Sequence, residues 1–514
     1  MRTIKWSEYL TGDDSTGDGT SGNPYKTITQ ASIGLTGGDE VRVGKGPADA
    51  ALTGTLGFTI NGTALVGTGT LFTSELVIGD FVKGGDGHWW EVITITSDVA
   101  ATLYKRYAGD TESGISSFKL GVISTGEAAA AATAVQTVSV AGTSVLSRLK
   151  ISGGWDLTTE LQTGESFFRQ MHGTFGTRYG RGLYISGKNY LEIEKLSFLR
   201  YDNGLYISSC DWCLITGMVC SSAGDEGFMV QYLDHTEFVS CTANACFDKC
   251  MDVQGSRMCT FTDTTVCSGG SYGLKLATTY FCTFIRTVIK SSSVYGMYMA
   301  TSFYNEFRTV TANRQGAHGL SLRLVTSNKF SNVTCNYNDK GMRVSGCYGI
   351  TCQGFSATGN TTAEIEMYQG ELGSVAGISI QDYGAAGDNR QIFYNGISYR
   401  DTANARSGAC LKLVPTSAVL YIRQAFFCPV SSGVARTVKL YMKDDVAFNG
   451  DVRAALFFLG DRITGWSTWT MTTDYVEQSI VGALGDITED GVLELRVEVR
   501  GTAGDVFADD FSYS

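Results

Sequence analysis

Three aspartates in the middle of the chain, Asp202, Asp225 and Asp248, recur at 23-residue intervals. Each stands two residues before a short stretch of alternating apolar and polar residues. If each interval is one turn of a stacked structure, like positions fall ~4.8 Å apart and the three carboxyls form a column. Carboxyls that close raise one another's pKa, which suits general-acid chemistry. They are also oxygen ligands of the kind that hold Ca²⁺. Glu226 adjoins Asp225 and adds a fourth carboxyl. Aspartate is equally a common turn residue, because its side chain bonds nearby backbone amides. The turn position accounts for the column without chemistry, so the expected assignment is no catalytic residue and no metal site.

Other chemistry-bearing residues are more scattered. Asp252 and Glu366 occupy the outward third position of their stretches but lie five turns apart, ~24 Å, too far to act as an acid–base pair. Asp252 beside Lys275, and Arg343 beside Glu366, read as surface ion pairs between neighbouring turns, worth little. His88, His172, His235 and His318 have no ligand spacing. Trp89 with Trp90, and Trp466 with Trp469, are the aromatic pairs able to stack on sugar rings, although aromatics in β-modules more often pack in cores. No phosphate-binding glycine loop, Cys-x-x-Cys pair or nucleophile elbow is present.

What must position these residues is a repeat. Short stretches begin at Gly182, Gly204, Gly227, Cys250, Gly273, Gly296, Gly319, Gly341 and Glu364, 22 or 23 residues apart. Each carries apolar residues at its second and fourth positions, as in Leu205/Ile207 and Phe228/Val230, which puts both on one face of a strand. A second column in step with the first holds Ile193, Ile215, Phe238, Phe261, Phe284, Phe307, Phe330 and Cys352. The connections are too short for helices. The pattern predicts an all-β protein built on a right-handed, single-stranded parallel β-helix, with the apolar columns stacked inside the tube. Twelve of the 14 cysteines lie between Cys210 and Cys352 and are expected as buried free thiols, Cys259 and Cys282 on neighbouring turns included.

The flanks differ. Residues 52–121 have dense alternation and frequent glycine turns, the mark of an inserted small β-barrel or sandwich. The coil pattern is clear again near Ser147, within a β-helix assigned to 122–385. Residues 386–514 read as longer strands of a C-terminal antiparallel, jelly-roll-like β-sandwich. Residues 1–51 form the N-terminal cap and first coil. The stretch Gly22 to Ile28 resembles the first coil of many β-helix proteins, which implies a short helix over the open end. The string Gly67-Thr68-Gly69-Thr70, with Phe72, Gly79-Asp80 and Tyr107-Ala108-Gly109, resembles a module of tailed-bacteriophage structural proteins. Asp509-Asp510-Phe511 resembles the last strand of jelly-roll carbohydrate-binding modules.

Composition bounds the function. The chain has 514 residues, 40 Lys and Arg against 51 Asp and Glu, and a net charge of −11. An acidic surface without a basic patch argues against nucleic acid as a partner but does not exclude a glycan. No long apolar run predicts membrane insertion, and Met1 to Gly22 lacks the apolar core of a secretion signal. The whole arrangement resembles virion structural proteins of tailed bacteriophages. That resemblance implies a tail, fibre or head-surface component, assembled in the host cytoplasm, homotrimeric, bound to other virion proteins and able to meet a host-surface glycan. The alternative is a receptor-binding tailspike with polysaccharide depolymerase activity, glycosidase or lyase. The capping coil begins almost at Met1, which leaves no room for an N-terminal anchor and favours the structural component, without glycan cleavage.

Overall fold

The computed structural model describes residues 2–125, 134–170 and 180–345 without a break, and shorter stretches between 347 and 513. Two compact units are present. The first comprises residues 1–321, 334–342 and 358–364; the second comprises 322–333, 343–357 and 365–514.

The first unit is a parallel β-solenoid carrying a barrel. One repeating turn shows how sequence becomes coil. Asn203–Ser208 is a strand, followed by a corner, the strand Leu214–Thr216, a second corner and the strand Val219–Ser221. The next turn repeats this with Glu226–Gln231, Glu237–Val239 and Thr242–Asn244, each paired in parallel with its predecessor. Leu205 and Ile207 point inward and are fully buried, and Phe228 and Val230 stack on them in register. The second expected column is also an interior ladder. Ile193, Ile215, Phe238, Phe261, Phe284 and Phe307 are fully buried. Phe238, Phe261, Phe284 and Phe307 stack face to face at 4.6 to 4.9 Å, within 7° of parallel. Ring spacing matches strand spacing, so the backbone ladder enforces the aromatic one.

The corners are single-residue bends. Trp212, His235, Met258, Phe281 and Tyr304 form one column of residues with φ between 49° and 59°. Side chains rarely adopt that left-handed conformation outside glycine, and the ladder hydrogen bonds on both sides hold it. At Gly204 the need is one of space, because a Cβ would lie 2.6 Å from the Cys220 sulfur.

The solenoid starts earlier than the aliphatic alternation suggests. Ile4–Ser7 pairs with Glu40–Gly44, which pairs with Leu149–Trp155. Ile123–Thr125 and Ala134–Val138 already belong to coils, ahead of Ser147. Their sequences, IST and AVQTV, lack the paired aliphatics that mark later turns. The short helix Ile28–Ser32, N-capped by Thr27, packs against Ile4–Ser7, Glu40–Gly44 and Ala134–Val138.

The insertion is a closed antiparallel barrel of six strands, in the order Ala50–Phe58, Ala64–Thr68, Ala100–Leu103, Trp89–Ser97, Phe81–Lys83 and Glu112–Lys119. It sits on the solenoid through buried ion pairs. Arg200 meets Glu91 at 3.1 Å and Arg169 meets Asp80 at 2.9 Å, and all four side chains are at most 10% exposed. Asn244 donates to the Trp89 carbonyl and Ser268 to that of Arg106.

The second unit contains two antiparallel sheets of five strands. One is ordered Ile397–Asp401, Cys410–Val414, Val506–Tyr513, Ala435–Asp444 and Val476–Ala483. The other carries Leu420–Cys428, Gly491–Arg500 and Asp451–Phe458, with Asp461–Arg462 and Ser467–Trp469 on the last. Leu440, Met442, Val452, Leu456, Leu495 and Val497 are fully buried. Asp509-Asp510-Phe511 lies on the strand Val506–Tyr513. No described helix is long and apolar enough to cross a membrane.

Candidate functional site

The site lies on the outer side of the sheet formed by Arg181–Ser186, Asn203–Ser208, Glu226–Gln231, Lys249–Gln254, Tyr272–Ala277 and Tyr295–Ala300. Alternation turns the second and fourth apolar residues of each strand inward, so the intervening residues stand outward in columns. One outward column runs Tyr184, Tyr206, Met229, Asp252, Lys275 and Tyr298 in register. Beside it, at the strand starts, stand Arg181, Asn203, Glu226, Lys249, Tyr272 and Tyr295. The aspartates of the corner, Asp202, Asp225 and Asp248, border this second column.

At the centre the carboxyls converge. Asp225, Glu226 and Asp248 each bring an oxygen within 4.8 Å of the others. Glu226 is buried; Asn203 donates to its Oε2 at 2.8 Å and the Lys249 ammonium to its Oε1 at 2.7 Å. Lys249 also donates to Asp248 Oδ2 at 2.5 Å and lies 3.7 Å from Asp252 Oδ2. Asp252 Oδ2 accepts from Lys275 at 3.1 Å and from Gln254 at 3.0 Å. Asp252 was expected in a surface ion pair, but its side chain is 1% exposed, because Lys249 and Lys275 reach its carboxylate from either side.

The electrostatics follow from burial and crowding. Burial, then the hydrogen bond with Asp225, pushes Glu226 up to about 7 against the pull of Lys249. Burial and the Asp225 charge push Asp202 up to about 6, although Arg181 opposes this. Asp248 behaves oppositely: burial disfavours its charge, but hydrogen bonds from Lys249 and Ser271 hold it below its ordinary value. Burial likewise disfavours the Lys249 charge, and Asp248 and Glu226 outweigh it, so this lysine stays charged well above its usual range. The arrangement keeps a proton on Glu226 near neutral pH, beside a fixed ammonium–carboxylate pair. That is an acid poised to donate.

Could a cation sit here instead? The three carboxylates are hard oxygen donors, suited to Ca²⁺ and unlike the nitrogen and sulfur ligands that copper favours. The Lys249 ammonium already occupies the position between Glu226 and Asp248.

Tyrosines flank the cluster along the solenoid. On one side Tyr184 and Tyr206 lie 5.4 Å apart, with the Arg181 guanidinium 3.8 Å from the Tyr206 ring centre. On the other, Tyr272, Tyr295 and Tyr298 lie 5.3 to 5.9 Å from one another. All five are partly exposed. From Tyr184 to Tyr298 is five strand steps, ~24 Å. The sequence alone gives Tyr184, Tyr206 and Tyr298 no role and does not connect Lys249 or Asn203 to the acids.

Of the two tryptophan pairs, three of the four residues are buried. Trp90 is fully buried in the barrel core, and Trp89, 8% exposed, packs with Phe81, Leu120 and Leu199. In the second unit Trp469 is buried, and Trp466 is half-buried with the Arg453 guanidinium 4.5 Å from its ring centre. His235 stacks on Trp212 and His318 packs on Tyr295, while His88 lies partly buried in the barrel; these three are dispersed. His172, and Glu366 with its expected partner Arg343 as a pair, lie outside what the described side chains cover.

Residues 175–367 match the profile of a family described as periplasmic copper-binding protein (NosD). No curated protein matches the chain. Among solved structures, an alginate lyase from Paenibacillus sp. is similar at 9% identity, covering 72% of this chain and 99% of that one, with a TM-score of 0.41. A mannuronan C-5 epimerase A-module from Azotobacter vinelandii is similar at 13% identity, covering 50% and 89%, with a TM-score of 0.33. Tailspike protein 2 of an Escherichia coli bacteriophage is similar at 10% identity, covering 87% and 78%, with a TM-score of 0.32.

Proposed function

We propose that this chain engages a polysaccharide along the outer face of its parallel sheet and cleaves it there, with Glu226, crowded by Asp225, as the proton donor. One observation carries the reading. A buried carboxyl, Glu226, held by Asn203 and Lys249 and crowded by Asp225 and Asp248, stands midway along a face whose two flanks are tyrosine clusters. Tyrosine offers a ring body to a sugar's apolar face and a hydroxyl to its polar edge. A linear glycan laid along the solenoid axis would touch both flanks and cross the acid. The corner location of Asp202, Asp225 and Asp248 explains why aspartate is there, but not why Glu226 is buried against Asp225. The setting we propose is a bacteriophage virion, as a tail-associated component. It rests on the resemblance carried by Gly67 to Thr70 and Tyr107 to Gly109.

The test incubates the purified full chain with capsular and lipopolysaccharide glycans and follows new reducing ends and, at 235 nm, unsaturated products. Turnover that falls at least ~100-fold in both Asp225→Asn and Glu226→Gln, with binding retained, is the expected outcome. Binding without turnover in the unaltered chain would remove the catalytic step and leave a glycan-binding virion component. Absence of binding would remove both.

A further inference from the structure

We propose a second binding site, in the seam where the barrel docks on the solenoid, that takes an uncharged, hydroxylated small molecule about the size of one sugar ring. It stands on the other sheet of the solenoid from the glycan face and does not depend on that reading. A cavity of about 310 Å³ lies in the seam, at the small end of the ~300–1,000 Å³ range of ligand pockets. Asp86, His88 and Glu112 line it from the barrel, and Thr265, Cys267 and Lys290 from the solenoid. Thr265 and Cys267 pair in register with Val288 and Lys290. Val266 and Ile289, between them, point into the tube and are fully buried, so alternation turns the other four outward, toward the barrel. Hydrogen bonds between the two modules frame the cavity. Asn244 donates to the Trp89 carbonyl at 2.9 Å, Ser268 to the Arg106 carbonyl at 2.6 Å and Arg314 to the Asp110 carboxylate at 2.9 Å. The Asp110 side chain is 83% exposed, so the cavity opens to solvent on that side.

Two groups set the chemistry of the ligand. On the barrel wall, Asp86 Oδ1 accepts from the His88 amide at 3.1 Å and from the Trp90 indole at 3.3 Å, whereas Oδ2 is buried and accepts no hydrogen bond. On the solenoid wall, the Lys290 ammonium makes no hydrogen bond or ion pair among the described residues. A buried acceptor without a donor costs free energy, and a bound donor relieves it. The barrel wall therefore asks for a donor and the solenoid wall for an acceptor, and a hydroxyl is both. An anion would meet the carboxyls of Asp86, Asp110 and Glu112, and a cation would meet the Lys290 ammonium. A zwitterion would give up the hydration of two charges, where a sugar gives up none. His88 adds no charge at neutral pH, because burial, opposed by Asp86 and aided by Lys290, holds its imidazole below its ordinary value. Glycines leave the barrel wall room for these groups. A Cβ on Gly85 would lie 1.9 Å from a Glu112 oxygen, and one on Gly109 would lie 2.4 Å from the Tyr107 hydroxyl.

The experiment measures binding to the full chain by saturation-transfer NMR and calorimetry. The neutral probes are glucose, galactose, N-acetylglucosamine and myo-inositol; glycine, inorganic phosphate and putrescine are the zwitterionic, anionic and cationic ones. At least one neutral probe should bind with a Kd of about 1 mM or tighter. Asp86→Asn is the sharpest variant. The two donors to Oδ1 hold the amide oxygen in its place, so an N–H donor replaces the Oδ2 acceptor at nearly constant size. This variant and Lys290→Met should each weaken neutral binding about tenfold or more. Tyr206→Ala, on the glycan face, should leave it unchanged. Circular dichroism melts verify that the variants fold, and if one of the two seam variants does not, the other decides. Neutral binding that survives in the folded seam variants, or that Tyr206→Ala removes, lies elsewhere and overturns the site. Binding confined to glycine, phosphate or putrescine overturns the ligand class. No binding by any probe overturns the proposal and leaves a seam that holds water. Asp86 and Tyr206 report on different sheets, so failure here leaves the glycan reading standing.

Discussion

The buried acid makes stability depend on pH in a direction that can be worked out beforehand. Glu226 has an ordinary value of 4.5 and stands at about 7 in the folded chain. The folded state therefore favours the protonated carboxyl. Its contribution is complete below the unfolded value and is lost as pH rises through the folded one. A displacement of that size corresponds to about 3 kcal/mol at most, at ~1.4 kcal/mol per pH unit. The perturbation is Glu226→Gln, which preserves volume and a neutral hydrogen-bonding end but cannot ionise. Urea unfolding of both proteins from pH 4.5 to about 8 gives a difference curve. Asp202 and the other carboxyls titrate in both proteins and largely cancel. The unaltered chain should lose up to about 3 kcal/mol relative to the variant across that window, with the steepest fall between the unfolded and folded values, around pH 6. Asp225→Asn should move that fall to lower pH, because it removes the neighbouring carboxyl that raises Glu226. A flat difference curve would refute the reasoning. One in which the unaltered chain gains stability with rising pH would show that Lys249 holds Glu226 ionised, and that no proton is available there to donate.

Three further outcomes follow from the fold. Phe261→Ala opens a cavity between Phe238 and Phe284 in the interior ladder and should cost ~3–5 kcal/mol in urea unfolding; a loss under about 1 kcal/mol would mean the ladder is not packed as described. Arg200→Met removes the guanidinium beside Glu91, which has no exposed side-chain surface, and should destabilise the first unit by ~3–5 kcal/mol. Limited proteolysis within residues 50–119 should then accelerate, and an unchanged pattern would argue against the barrel being anchored by that pair. Cys210, Cys213, Cys220, Cys241, Cys246, Cys250, Cys259, Cys267, Cys282, Cys335 and Cys347 are buried free thiols. Thiol titration of the denatured protein without reductant should approach the full 14, and a count near zero would contradict the packing.

The interior of the solenoid was legible in the sequence because stacking like on like repeats the same demand every turn. Ile215, Phe238, Phe261 and Phe284 face the same neighbours, so the column recurs at a fixed interval. The barrel was legible as a break in that period, but the fate of Trp89 and Trp90 was not. Consecutive residues on a strand face opposite ways, and one face of a small module ordinarily meets water. Here Trp90 fills the barrel and Trp89 faces Leu199 of the solenoid. Only docking of one module on the other buries both, and a buried ion pair such as Arg200 with Glu91 leaves no periodic trace in the sequence.

The same reasoning explains why the candidate site was half visible. The fold demands inward residues but leaves outward ones open, so the column Tyr206, Met229, Asp252, Lys275 changes character at every step. Asp202, Asp225 and Asp248 stood out because one residue type suited to a corner recurs on three successive turns. Glu226, Asn203 and Lys249 occupy one outward position on three successive strands, and no residue type repeats among them. Yet their variation is what makes an acid, its donor and its counter-ion neighbours. In a solenoid, a catalytic or binding group is therefore read across turns, at positions where the repeat fails. Conserving the period at these positions, as in Glu226→Asn to match Asn203, would leave the coil intact and remove the coupled proton on which the proposed chemistry depends.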